Sequence, residues 1–167
     1  IAIEKEETSL AVKRSKNRAE IARLKQIAED TSKAEKERLA AAEKAYSIEK
    51  KDMEAQVSLQ ERRIANMLGF TKVTDEVRNV IDELNRGAIS ADEVISKLGL
   101  SSSTMADFKQ FADEVVKLNE LQEASLTRQV EQNNKINTIR KEANKVLDDG
   151  VASLEQQTKT DSGMTDE

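Results

Sequence analysis

Residues 1–68 read IAIEKEETSLAVKRSKNRAEIARLKQIAEDTSKAEKERLAAAEKAYSIEKKDMEAQVSLQERRIANML, and the fold follows from how their apolar side chains recur. Ile3, Ile21, Leu39 and Val57 form one series at 18-residue intervals; Leu10, Ala28, Tyr46 and Ile64 form a second, seven residues later. Eighteen residues make five turns at 3.6 per turn, so both series fall on one face of a nearly straight helix. The chain has no Pro and its first Gly is Gly69. The stretch therefore reads as one helix of roughly 66 residues, about 100 Å long at 1.5 Å per residue. Pairs spaced i,i+4, such as Lys16/Glu20, Lys25/Glu29, Lys33/Glu37 and Lys50/Glu54, support its solvated face. A rod of that length cannot hide its stripe in a globule, so it needs a partner helix from this chain or another.

Beyond Gly69 the texture changes to short, punctuated units over residues 69–103. Thr74 caps a helix whose apolar positions are Val77, Val80, Ile81 and Leu84, and Gly87 stops it. Ser90 with Glu93 makes a capping box for a two-turn helix through Val94, Ile95 and Leu98. Gly99 ends that helix, with Leu100 placed for the apolar contact of a Schellman end. Ser101, Ser102, Ser103 and Thr104 offer caps for the next helix. Residues 104–150 read as a second long helix with a heptad-like seam. Phe108, Val115, Ile136 and Ala143 hold one core position, and Phe111, Leu118, Ile139 and Val146 the other. The middle of the seam is polar at Gln122, Ser125, Gln129 and Gln132; either these are buried polar layers, or Leu121, Leu126 and Val130 face the partner instead. Gly150 reads as the stop, and residues 151–167 as a loose acidic tail.

Composition agrees with an all-α, extended molecule. Aromatic residues are 2% of the chain and charged residues 35%, a balance typical of long helices and coiled coils. With no Cys, neither disulfides nor thiolate metal sites are available, and with no His the commonest general base and metal ligand is missing. Ser101–Ser103 lack a base and an oxyanion hole and read as caps. Asp113/Glu114 and Asp148/Asp149 are adjacent in sequence, so on a helix they diverge by about 100° and cannot clasp one ion. The sequence thus offers no catalytic, cofactor-binding or metal-ligating set, and the chain reads as a non-enzyme. Residues 1–68 carry 15 Lys/Arg against 13 Asp/Glu. Even the basic cluster Lys13, Arg14, Lys16 and Arg18 is too diluted by Glu4, Glu6, Glu7 and Glu20 for strong phosphate binding. No apolar run is long enough for a membrane span. The start at Ile1, without Met or a leader pattern, reads as an internal piece of a longer polypeptide.

Two architectures compete. In one, the long helices fold back as an antiparallel hairpin with residues 70–103 at the tip; in the other, parallel copies, three of them, run side by side. The polar seam and the unequal helix lengths favour the parallel homotrimer. On that reading the oligomer seam comprises Ile3, Leu10, Ile21, Leu39, Tyr46, Val57 and Ile64, then Phe108, Phe111, Val115, Leu118, Ile136, Ile139 and Val146.

The stretch Val77 to Leu98, with its centre IDELNRGAISADEVISKL at residues 81–98, resembles stretches common in the tail tape measure proteins of long-tailed bacteriophages. There a short helix, a Gly, an IS-type cap with an acidic pair and another short helix lie between long coiled-coil arms. The resemblance covers about 20 residues. It implies a fibrous multimer inside the virion tail tube that sets tail length, with other tail or assembly proteins as partners. The chain lacks the membrane-active segment and the repeating Trp/Phe spacing often seen along such rods. The alternative from another class is a receptor-binding or toxin-like hairpin rod of the colicin type, secreted or cytoplasmic. That reading expects a monomer with Phe70, Val73 and Leu100 exposed at its tip.

Overall fold

A computed structural model of the chain describes residues 2–87, 89–99 and 108–165. Five helices and no strands are present among them: α1 (Ala2–Glu29), α2 (Glu35–Met67), α3 (Asp75–Asn85), α4 (Ala91–Leu98) and α5 (Phe108–Thr165). The all-α expectation holds.

The expected single helix over 1–68 is two helices. The cause is local chemistry at residues 30–34. Asp30 Oδ1 accepts from the Ser32 backbone N–H at 3.0 Å and from the Ser32 hydroxyl at 2.6 Å. Such an Asx turn offers the backbone an alternative to the helical ladder. Arg38 Nε then donates to the carbonyl oxygen of Ala28 at 2.9 Å, satisfying an orphan acceptor at the end of α1. A second correction concerns the end of the chain: α5 continues through Gly150 to Thr165, in place of a stop and a loose tail. One Gly in a helix interior costs only about 1 kcal/mol relative to Ala. A helix already dozens of residues long propagates through that, and no Pro stands in the way.

The short helices keep the punctuation their sequence predicts. Thr74 Oγ1 accepts from Val77 N–H and caps α3; Ser90 Oγ accepts from Glu93 N–H and caps α4. Gly69 closes α2 at φ 86°, with Phe70 N–H reaching back to the Ala65 carbonyl at 2.9 Å, the long bond of a Schellman end. The caps expected at residues 101–104, and the contact expected of Leu100, lie outside the described residues.

The chain divides into two compact units. Unit 1 comprises residues 1–18 and 49–128. In it α1 and α2 run antiparallel: Arg62 pairs with Glu6, Arg63 with Glu7, and Asn17 Nδ2 donates to Asp52 Oδ1 at 2.9 Å. The segments of α2 and α5 in this unit are antiparallel too, with Gln60 against Glu114 and Glu49 facing Arg128 at 3.8 Å. Its core is Ile64, Ala65, Leu68, Val77, Val80, Ile81, Ile89, Val94, Phe111, Val115 and Leu118. The two short helices close over this core. Lys97 of α4 pairs with Glu83 of α3, and Asn119 of α5 donates to Asn85 of α3 at 2.8 Å.

Unit 2 comprises residues 19–48 and 129–167. Its core is thinner and rich in Ala: Leu24, Ala28, Ala41, Ala42, Ala45, Ile136 and Ile139, with Ile27, Leu39, Tyr46 and Ile48 packed around it. Here again α2 is antiparallel to its neighbours, with Lys44 near Glu20 at 3.9 Å and Arg140 bonded to Glu43 at 3.4 Å.

Candidate functional site

The seam residues are brought together, but inside the chain. Ile64, Phe111, Val115 and Leu118 belong to the core of unit 1, with Val57 and Phe108 packed against it. Ile136 and Ile139 belong to the core of unit 2, with Leu39 and Tyr46 beside them. Ile21 is buried, while Ile3 and Leu10 are half-buried. Val146 alone among the fourteen is largely exposed, at 71%. A face covered by the chain's own helices is not available to two further copies, so the seam gives no support to a parallel homotrimer. Within each unit the buried seam residues pack against antiparallel helices of the same chain.

The polar middle of the seam divides. Gln132 is 2% exposed and Gln129 and Ser125 are half-buried, so the seam passes through them, while Gln122 is exposed. Leu126 and Val130 remain outside at 64% and 59%. Leu121, the third residue of that alternative, is half-buried.

The most elaborate polar contact is a latch between α2 and α5 in unit 1. Gln60 Nε2 donates to the Glu114 backbone carbonyl at 2.9 Å and to Glu114 Oε2 at 2.7 Å. Both residues are buried, and Lys117 Nζ reaches Glu114 Oε1 at 3.1 Å. Burial pushes the Glu114 carboxyl up, but the Gln60 and Lys117 hydrogen bonds outweigh it and hold the pKa below the ordinary value of 4.5. In unit 2 the Ser32 hydroxyl, followed by its backbone N–H, holds Asp30 below 3.8.

A carboxylate whose folded pKa is depressed stabilises the fold above its unfolded pKa, and that contribution disappears as pH falls through the folded value. The stability difference between wild type and Glu114→Gln, taken from urea midpoints, is therefore expected to shrink as pH is lowered below 4.5. A difference that stays constant with pH would show that the latch plays no part in acid stability.

No three His, Cys, Asp or Glu side chains converge among the described residues in a way that could hold a metal ion. Asp113 points to solvent while Glu114 is buried, and Asp148 and Asp149 are both exposed. No helix among the described residues is long and apolar enough to cross a membrane. Comparison with protein-family models, curated proteins and solved structures finds no match.

Unit 1 has a groove of about 740 Å³ between α2, α3, the 71–73 loop and α5. Val57, Val73 and Leu126 supply its apolar lining, and Arg62, Lys72 and Arg78 line it together with Glu54 and Glu61. On α5 in unit 2, Val146, Leu147, Val151 and Leu154 are between 53% and 71% exposed. Sequence reasoning misses this stripe because Gly150 reads as the end of the helix. Phe70 and Val73, expected at an exposed tip, are half-buried and pack on the core of unit 1.

Proposed function

We propose that this chain is a structural protein that acts through length and helix–helix contact, as a tape-measure-like element of a phage tail. Its partners on this reading are further copies of itself and other tail proteins. The observation that carries the reading is the uncovered apolar stripe on α5, Val146 to Leu154, in an otherwise highly charged helical chain. Exposed apolar surface grouped on one helix face marks a contact with another macromolecule. The sequence of α3 and α4, with its resemblance to punctuated tape measure segments, adds to this.

Sedimentation equilibrium over a concentration series tests it. The expected result is a mass that rises above that of the single chain while circular dichroism stays helical. A helical monomer at every concentration overturns the reading. That result would favour the hairpin rod with a binding tip, for which the antiparallel pairing of α2 and α5 in unit 1 speaks.

A further inference from the structure

We propose that the bend at residues 30–34 is a switch: α1 and α2 join into one continuous helix, whose residues 24–34 then cover the apolar stripe of α5. The two states differ in where Leu24 and Ile27 pack. In the bent state Leu24 is buried in the core of unit 2 and Ile27 packs against that core. The bend contains neither Gly nor Pro, and no residue in it has a positive φ. Side-chain contacts hold it instead, from Asp30 to Ser32 and from Arg38 to the Ala28 carbonyl. A continuous helix pairs through its own ladder the backbone groups that two helix ends leave to caps.

The faces that straightening brings together are already in phase. Ala42 and Ala45 of α2 share the core of unit 2 with Ile136 and Ile139 of α5. Leu24 and Ile27 stand 18 residues before them, five turns of one helix, and so continue the face that meets α5. The inward face of α5 runs on as well: Val146 follows Ile139 by seven residues, and Leu147 follows Ala143 by four. Val146, Leu147 and Val151 are 53% to 71% exposed. α2 and α5 are antiparallel in unit 2, with Arg38 against Glu142 and Glu43 against Arg140. Carried upstream, that register sets residues 24–34 beside residues 147–157. The charges of the two segments agree in sign. Residues 13–33 carry seven Lys/Arg against three Asp/Glu, and residues 145–165 carry four Asp/Glu against two Lys/Arg. Where copies associate through the stripe, the straight state withholds it; the switch itself does not rest on that association.

Spin-label distances test this, since the chain has no Cys of its own. Lys16→Cys with Lys51→Cys places the labels at exposed positions beside the Asn17–Asp52 contact. In the bent state they sit on neighbouring antiparallel helices, whose axes lie about 10 Å apart. In a continuous helix the same 35-residue separation as Asn17 to Asp52 spans about 52 Å. With the otherwise unaltered chain as the short-distance reference, Asp30→Ala with Ser32→Ala removes the turn and is expected to shift the labels to the long distance. That shift is read in protein that sediments as a single chain and stays helical by circular dichroism. Adding Leu147→Asp and Val151→Asp, both at exposed positions, should return the labels to the short distance. A bend variant that keeps only the short distance overturns the switch. A long distance that survives the stripe substitutions overturns the contact with α5. A long distance confined to associated copies means that α1 is exchanged between them, which overturns the switch within one chain and leaves self-assembly standing. If the double substitution at the bend costs helicity, Ser32→Ala alone, at an exposed site, is read by the same outcomes.

Discussion

Replacing Phe111 with Ala is expected to lower the stability of unit 1 by about 3 to 5 kcal/mol, the range for emptying a buried aromatic site. Phe111 is 1% exposed and is among the largest fully buried side chains of the protein. Its ring lies 6.0 Å from that of Phe108, tilted by 40°, within the distance at which aromatic pairs attract. The same core holds Ile64, Leu68, Val77, Val94 and Val115, drawn from α2 and its C-terminal turn, α3, α4 and α5. Truncation removes the transfer free energy of the ring and leaves a void that separate helices must close. Urea denaturation followed by far-ultraviolet circular dichroism measures the effect. Val12→Ala, at a site 67% exposed, is the control and should change stability by no more than about 0.5 kcal/mol. A loss of less than about 1 kcal/mol for Phe111→Ala would mean that this cluster is not the core of the unit.

The second large effect is expected at Arg38. Its side chain is 11% exposed, and its two hydrogen bonds reach different helices: Nε to the Ala28 carbonyl of α1, and Nη1 to Glu142 of α5 at 2.9 Å. Hydrogen bonds to charged groups are worth about 1.5 to 3 kcal/mol, and an orphaned helix-end carbonyl adds to the loss. Arg38→Ala should therefore destabilise unit 2 by about 2 to 3 kcal/mol. Arg38→Lys should recover little, because a single ammonium cannot hold both acceptors in the geometry of the guanidinium fork. Tyr46 is the only Tyr, there is no Trp, and it packs on the core of unit 2, so its fluorescence reports this unit directly. An unfolding midpoint of Tyr46 fluorescence unchanged in Arg38→Ala would show that the bend between α1 and α2 holds without its clamp.

The legible parts of this fold are those written in local grammar. Thr74, Ser90 and Gly69 act where their chemistry places them, because caps and left-handed stops depend on a few adjacent residues. The seam is legible as a set of inward-facing residues but not as to what they face. Ile21 and Leu39 keep their 18-residue spacing across the bend because the faces of α1 and α2 both turn inward. A periodicity is blind to a reversal of direction between its members. The bend itself rests on the Asp30–Ser32 interaction and the Arg38–Ala28 clamp, and Asp30-Thr31-Ser32 differs little from other polar triplets on the solvated face. Gly150 misleads in the opposite sense, since a glycine stops a helix only where a left-handed turn follows, and here none does. The Gln60–Glu114 latch joins residues 54 apart in sequence, a distance over which no local pattern speaks.

The bend at residues 30–34 also sets an order of events. Lys44 and Glu20 are separated by 24 residues, Asp52 and Asn17 by 35, and Arg62 and Glu6 by 56. Closing short loops costs less entropy than closing long ones, so α1 and α2 should zip outward from the bend. The partners of α5 lie as far as 104 residues away, as for Arg38 and Glu142. During synthesis the contacts between α1 and α2 can form within each unit before α5 has been made, so those two helices offer α5 a surface on which to fold.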